Sequence, residues 1–427
     1  MTGKVLTAVI VGAGHRGILY ASYALQHPEK FKIVGIVDPD KSRCDKVRSL
    51  HDVPAENVFS SVEELVARGQ IADTVINATM DNLHVPTTLP LLEAGYDVLL
   101  EKPICTFRDD LLTLLQKTRE TGRRVMICHV LRYAPFYAEI RKRLASGEIG
   151  EVLNIQAAEH VSYHHSSMGF VRGKWNRQDV CGSSMLMSKS CHDIDLIAWL
   201  KTGTPPTQVS SFGGLMYFKP EKAPKGAGTR CLVDCEIEES CPYSARKIHL
   251  DHPVRWHTYV WETVDPKDNP TREQMIESLS TDNPHGRCIW KCDNNVVDHQ
   301  SVVIQFSDGS TATHNMVGGV SKPGRYLHIV GTAGEIRGCL EDGTFTIYKP
   351  DTRPGHETSE EKVELNVSAE MHGGGDLRLV EDFVNVINGA EHSISTTCIE
   401  DSVYGHLAGF AADEAMKNNS IVQIEKI

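Results

Sequence analysis

Thr7 to Val11 is a short β-branched run that ends in Gly12-Ala13-Gly14-His15-Arg16-Gly17 and passes directly into an apolar-periodic segment from Ile18 to Leu25. Strand, Gly-x-Gly-x-x-Gly and helix in that order leave few folds open, because each glycine has its own steric task. Gly12 permits a tight turn, Gly14 lets the backbone approach a pyrophosphate, and Gly17 allows the helix to pack closely on the strand. The helix start then offers free amides and its dipole to phosphates. A second strand, Phe31 to Val37, ends in Asp38, a carboxylate placed to accept hydrogen bonds from ribose hydroxyls and to repel a 2'-phosphate. NAD is therefore expected over NADP, with Lys41 and Arg43 close enough to soften the preference.

The alternation continues through a helix at Ser61 to Arg68, a strand at Thr74 to Ala78, a helix at Val85 to Ala94 and a strand at Asp97 to Leu100. Thr106 is a candidate N-cap for a helix over Asp109 to Thr121, which stops at Gly122 before a strand at Arg124 to Cys128. Short connections between alternating elements predict a right-handed parallel sheet. The strand at Asp97 to Leu100 then delivers Glu101-Lys102-Pro103 to the sheet's carboxyl edge, where open α/β sheets bind ligands.

At 427 residues the chain exceeds one ordinary core, since domains run to roughly 100 to 250 residues. We assign residues 1–130 to a Rossmann dinucleotide-binding domain and 131–427 to an α+β domain with an open, mostly antiparallel sheet. In the second domain a helix at Pro135 to Leu144 precedes strands at Val152–Val161, Val209–Phe218, Ser301–Phe306, Thr311–Met316, Arg325–Gly331 and Thr344–Tyr348. Asp308-Gly309 and Asp342-Gly343 are hairpin signals between such runs. Helices are expected at Leu377–Ile387 and Ile399–Met416. Residues 219–295, rich in Pro, Cys and charge, read as an insertion over one face of the sheet.

The net charge of −12 and the lack of a basic patch argue against nucleic acid. No apolar run approaches the ~20 residues of a membrane span, and no signal segment leads the chain. A cytoplasmic protein with a small-molecule partner is expected. Twelve cysteines then read as thiols or metal ligands. Cys231, Cys235 and Cys241 are clustered enough to supply three thiolates to a structural zinc that would clamp the insertion.

The second chemical signal is Ser188-Lys189-Ser190-Cys191-His192-Asp193-Ile194-Asp195, read as one helix running to Leu200. On a continuous helix Ser188 lies four residues from His192, and Lys189, His192 and Asp195 follow at intervals of three, so a hydroxyl, an amine and an imidazole share a face. His160, Tyr163, His164 and His165, with Arg172, Lys174 and Trp175 beyond, form an aromatic and polar cluster suited to a sugar. His372-Gly373-Gly374-Gly375-Asp376 is a further candidate for closing the pocket.

Gly12-Ala13-Gly14, His84 before Pro86, Glu101-Lys102-Pro103, Arg132-Tyr133 before Pro135, and His192-Asp193-Ile194-Asp195 together resemble the glucose-fructose oxidoreductase and inositol dehydrogenase family, Gfo/Idh/MocA. The resemblance implies a Rossmann domain, a C-terminal α/β domain whose open sheet forms homo-oligomers, and NAD as cofactor. It implies that His15, Arg16, Thr79, Asn82, His84, Glu101 and Lys102 line the cofactor, that Lys102 stands by the nicotinamide, and that His192 is the acid/base. The sequence departs from the family where an aspartate commonly stands four residues before the histidine. Here that position is Ser188, so Lys189 is open to a share of the proton transfer.

Hydride removal from a secondary alcohol requires a base for the hydroxyl proton and a cation for the developing alkoxide. His192 and Lys102 fit these roles in either order, and a buried lysine with a lowered pKa could be the base. The expected activity is oxidation of a hydroxyl on a sugar, polyol or glycoside. The alternative is a redox-assisted glycosidase, in which transient oxidation at C3 acidifies the neighbouring C–H, the aglycone is eliminated, water adds and hydride returns. A cofactor-binding sensor is the non-enzyme alternative.

Overall fold

The computed structural model describes residues 4–252, 255–262, 264, 270–365 and 371–427. The first lobe runs β1 (Leu6–Val11), α1 (His15–Gln26), β2 (Phe31–Val37), α2 (Lys41–His51), β3 (Val58–Phe59), α3 (Val62–Arg68), β4 (Thr74–Asn77), α4 (His84–Glu93), β5 (Asp97–Leu100), α5 (Arg108–Thr121) and β6 (Val125–Ile127). Its six strands pair in parallel in the order β3-β2-β1-β4-β5-β6, the reversal of order falling between β1 and β4. The central strands are apolar on both faces because helices cover both sides, and β4 and β5 are buried almost throughout. Ser61 caps α3 by accepting from the Glu64 amide. Helix α5 begins at Arg108, one residue later than the Thr106 cap implies, and its N-cap is Phe107, which makes no side-chain cap hydrogen bond. Helix α2, unforeseen in the sequence, is too polar to show an apolar face and buries only Cys44 and Val47.

The second lobe contains α6 (Pro135–Ala145), β7 (Val152–Ser162), α7 (Tyr163–His165), α8 (Gln178–Cys181), α9 (Met185–Ser188), α10 (Cys191–Leu200), β8 (Pro206–Gly214), α11 (His257–Val260), α12 (Arg272–Ser280), β9 (His299–Phe306), β10 (Thr311–Val320), β11 (Gly324–Gly331), β12 (Glu335–Cys339), β13 (Thr344–Pro350), β14 (Thr358–Glu364), α13 (Gly375–Ile387), α14 (Ile399–Asn418) and β15 (Val422–Gln423). Nine strands form one sheet, β14-β13-β12-β11-β7-β10-β9-β8-β15, antiparallel except where β7 meets β10. The expected Asp-Gly turns occur, with Gly309 and Gly343 at positive φ. One face of this sheet packs on α6, α10 and α14 through Ile155, Val302, Ile304, Ala312 and Ile329. The other face is open and carries exposed Phe212, Val303, Val317 and Tyr326. Helix α13 returns to the first lobe, where Leu379, Val380 and Phe383 join the core beneath β1 and α1, while Val403 and Leu407 of α14 join the apolar cluster on the opposite side of that sheet. No described helix is long and apolar enough to cross a membrane.

The single helix expected from Ser188 to Leu200 is broken: Ser188 ends α9 and α10 starts at Cys191. Ser188 Oγ donates back to Ser184 O at 2.7 Å, Lys189 caps α9 at φ −110°, ψ −57°, and Ser190 then leaves helical geometry at φ −97°, ψ 10°. Glu159 of β7 holds this break by pairing with Lys189 Nζ and accepting from Ser190 Oγ at 2.8 Å.

Candidate active site

The glycine turn sits at the carboxyl ends of β1 and β4. Gly12 has φ +87°, and a Cβ there would lie 2.5 Å from Ala78 O; at Gly17 it would lie 2.3 Å from Gly12 O. Both positions therefore exclude any side chain. Among the described residues nothing lies within 4 Å of a Cβ position at Gly14, which is the open approach a pyrophosphate needs. Asp38 fixes the loop, its Oδ2 accepting from the Ala13 amide at 2.8 Å and its Oδ1 from the Asp40 amide at 2.8 Å. Arg43 stands 4.0 Å from Asp38 Oδ2 and is paired with Glu262. These residues fit a dinucleotide.

Lys102 follows β5, and its Nζ donates to Ser188 O at 2.7 Å. Ser188 thus meets the lysine through its carbonyl, while its hydroxyl, anticipated as a substrate contact, is consumed within α9. Burial opposes charge on Lys102. Cys191, with the Glu101 and Asp81 carboxylates, outweighs it and leaves the pKa raised. The expectation of a lowered lysine pKa is overturned: Lys102 is a persistent cation. The Cys191 thiol is itself pushed up to about 12 by burial, so at neutral pH the carboxylates provide that support.

His192, on the first turn of α10, has the opposite character. Burial, and then the charge of Lys102 with His372 and His129 beside it, holds its pKa well below the ordinary imidazole value. Among the described residues its Nδ1 has no hydrogen-bond partner. The His372 ring centroid is 5.5 Å away and that of His129 is 5.9 Å away. His372 Nδ1 lies 3.0 Å from Asp376 Oδ2, and Asp376 accepts from Arg16 Nη2 at 2.5 Å. The carboxylate that the sequence lacks at position 188 is thus present on a neighbouring imidazole. The His372-Gly373-Gly374-Gly375-Asp376 stretch was the sequence-level hint of this arrangement, and the structure gives His372 a left-handed backbone, φ 53°.

Several anticipated ligands are part of the scaffold. Arg16 Nε donates to Glu101 Oε1 at 2.6 Å, and Tyr20 Oη to the same oxygen at 2.9 Å. Arg16 and Glu101 therefore join the glycine helix to β5 and α13. His84 contacts Pro103 O at 2.6 Å and Thr79 O at 3.1 Å, so both ring nitrogens tie the loop after β4 to the lysine turn. Thr79 Oγ1 donates to Asn77 Oδ1 at 2.9 Å, and Asn82 is exposed near Gly182.

Arg172 is buried, its donors spent on Arg287 O, Ser167 Oγ, Tyr243 O and Cys231 Sγ. It braces the insertion rather than a substrate. His160 lies on the face of β7 opposite Glu159, its ring 5.1 Å from Tyr326 on the open side of the sheet, and so does not join the cluster. Tyr163 packs on the insertion beside Tyr243. His164 Nδ1 accepts from Trp256 Nε1 at 3.1 Å, and burial lowers its pKa to about 4. Trp175 is nearer the cleft, 6.2 Å from Tyr259. Lys189 is held by Glu159, which also pairs with Arg325, and is an anchored cation.

The zinc clamp expected at Cys231, Cys235 and Cys241 is not formed. Cys231 packs with Met168, Leu250 and Trp261, whereas Cys241 packs with Phe218, Tyr243 and Trp290. Among the described residues no three His, Cys, Asp or Glu side chains gather to hold a metal ion. The cysteines are free, and those two serve as small apolar side chains in separate clusters.

Among known proteins, the profile described as an oxidoreductase family with NAD-binding Rossmann fold matches residues 6–129, and its C-terminal alpha/beta domain matches residues 141–424. The chain belongs to this Gfo/Idh/MocA oxidoreductase family. It is 26% identical over 373 residues to Bacillus subtilis YteT, described as an oxidoreductase, covering 82% of each chain. It is 26% identical over 198 residues to an inositol 2-dehydrogenase of Corynebacterium glutamicum, covering 46% of this chain and 54% of that protein. The WlbA dehydrogenase of Bordetella pertussis, solved with NADH and UDP-GlcNAcA, shares the fold at a TM-score of 0.68 with 14% identity over 100% of both chains. Scyllo-inositol dehydrogenase from Lactobacillus casei does so at 0.65 with 17% identity over 99% of each.

In this oxidoreductase the glycine loop lies where the order of the parallel sheet reverses, the usual ligand position in such sheets, while Lys102 follows the next strand but one on the same carboxyl edge and its charge is felt at His192. Glu159, Arg325, His372, Asp376 and Tyr259 complete the surroundings. Sequence spacing could not reveal most of them, because they come from four separate elements.

Proposed function

We propose that this enzyme oxidises a secondary hydroxyl of a sugar, polyol or glycoside with NAD. The observation that carries the reading is the pairing of a persistent ammonium at Lys102 with a neutral, buried imidazole at His192 beside the glycine loop. NAD, when bound, supplies the hydride acceptor. His192 takes the proton from the substrate hydroxyl oxygen, and Lys102 stabilises the negative charge that develops on that oxygen. Ser188 O orients the ammonium, while Glu101 holds Arg16 beneath the loop. Inositol 2-dehydrogenase and scyllo-inositol dehydrogenase among the similar proteins support a polyol or sugar substrate. We place the enzyme in the cytoplasm, and the open face of the nine-stranded sheet, with exposed Phe212, Val303, Val317 and Tyr326, supports a homo-oligomer.

A second reading, the redox-assisted glycosidase, is favoured by one observation. The His372–Asp376 pair beside His192 provides a second imidazole with its own orienting carboxylate, and elimination requires a second base for the C–H proton. One experiment separates the two. The enzyme is incubated in deuterated water with free polyols, sugars and aryl glycosides, following reduced nicotinamide and aglycone together. Stoichiometric NADH without aglycone release supports the dehydrogenase. Aglycone release with catalytic NAD, and deuterium at the carbon next to the oxidised one, replaces it with the glycosidase. Full activity of Lys102→Ala in both assays would refute the site.

A further inference from the structure

Lys174 is an exposed cation with no carboxylate in ion-pair range among the described residues. Its position is nevertheless well defined. The turn that carries it is closed by Trp175 N donating to Gly169 O at 3.1 Å and Asn176 N to Gly173 O at 3.1 Å. A Cβ on Gly173 would sit 2.0 Å from Met168 O, so the turn admits no other residue there. The ammonium lies 4.6 Å from the Trp175 ring centroid and 5.6 Å from that of Tyr259. Two aromatic faces thus support it without neutralising it.

The surroundings of this cation define its target. Tyr259, on α11 of the insertion, places its ring 5.6 Å from His15, the first residue of α1. The charge of Lys174 is felt at His15, and Lys174 in turn feels Asp81, Arg43, Lys102 and Glu101. Arg43 marks the end of the cleft near Asp38, Lys102 marks the end near His192, and His15 opens the helix between them. The first turn of α1 carries no acidic side chain, and among the described residues nothing lies within 4 Å of a Cβ position at Gly14. A doubly charged group bridging the two ends of the cleft would meet Lys174 from the second lobe and the helix amides from the first.

We propose that Lys174, backed by Trp175 and Tyr259, binds the pyrophosphate of the dinucleotide from across the cleft. The inference rests on the NAD reading above and extends it to residues of the second lobe and the insertion. An anionic substrate is the competing target, and the choice of probes separates the two. ADP-ribose carries the pyrophosphate and adenosine does not.

The test is a binding titration of the full chain with NADH, ADP-ribose and adenosine, comparing wild type with Lys174→Gln and Lys174→Arg. Lys174→Gln should weaken NADH and ADP-ribose by about tenfold, the scale of one charge-assisted hydrogen bond. Adenosine affinity should not change, and Lys174→Arg should retain most of the binding. Unchanged ADP-ribose affinity in Lys174→Gln, or equal weakening for adenosine, overturns the proposal. A wild type that binds neither NADH nor ADP-ribose overturns the NAD reading itself. The wild type offers a second measurement that is independent of folding in the variants. ADP-ribose should protect Lys174 from amine acylation, followed by mass spectrometry, and adenosine should not; equal protection or none also refutes the assignment.

Discussion

Breaking the Arg132–Asp195 pair should destabilise the protein strongly, whereas replacing both partners should not. Arg132 Nε donates to Asp195 Oδ2 at 2.7 Å and Nη2 to Oδ1 at 2.6 Å, a bidentate pair with both side chains 1% exposed. Burial pushes the Asp195 carboxyl up, and Arg132 pulls it back only in part, so its pKa remains raised. On the other side of the pair burial acts first against the Arg132 charge, yet Asp195 and Asp401 leave its pKa raised. The two shifts oppose each other, as in buried pairs whose attraction and desolvation nearly cancel, so the pair itself adds little net stability. Removing one partner is different. The remaining contacts of Arg132, to Thr396 O, Asp401 O and Ser402 Oγ, are 3.4 to 3.5 Å long and compensate a buried cation poorly. Arg132→Met and Asp195→Leu should each cost about 3–5 kcal/mol, while the double variant should lie within about 1 kcal/mol of wild type. Urea unfolding followed by tryptophan fluorescence measures this, with Trp199, 5.7 Å from the guanidinium, as one reporter. Single losses below about 1 kcal/mol, or a double variant as unstable as the two singles summed, would refute the argument.

Lys102→Met should lower kcat by roughly 10²–10³ with little change in NADH affinity, measured by steady-state kinetics and a fluorescence titration; a Kd effect without a kcat effect would remove the lysine from the chemistry. Because His192 is held below the ordinary imidazole value, it protonates only at lower pH, and kcat/KM should stay flat as pH falls through 6.5 and decline below it. An acidic limb at or above that value would indicate another base. Gly12→Ala, forced to φ +87° against Ala78 O, should lose at least about 1–2 kcal/mol of stability. Gly14→Ala should unfold within about 0.5 kcal/mol of wild type yet bind NADH poorly, as thermal unfolding and titration would show.

The parallel sheet was legible because glycine chemistry and apolar strand length act locally. Asp38, the lysine turn and the helix stop at Gly122 follow from adjacent residues alone. The active site was only half legible. Lys102 and His192 belong to compact motifs, but the break between Ser188 and Cys191 depends on Glu159, about thirty positions earlier in the chain, and helical periodicity contains no trace of it. His160 and Arg172 carry suitable chemistry, but the pleat of β7 turns the first away and the carbonyls of the insertion occupy the second. The cysteine spacing likewise looked like a ligand set because thiols suit both zinc and apolar packing, and only the three-dimensional neighbours distinguish these uses.

The contact between Arg16 and Asp376 joins positions 360 residues apart, and α13 fills the underside of the first sheet. The nucleotide-binding half is therefore unfinished when its own strands leave the ribosome. A fragment ending near residue 130 would expose the apolar surface that Leu379, Val380 and Phe383 cover. Such long sequence separation slows folding and leaves intermediates open to aggregation. During synthesis the cofactor cradle can close only after almost the whole chain has emerged, so a truncated product lacks the closed cradle.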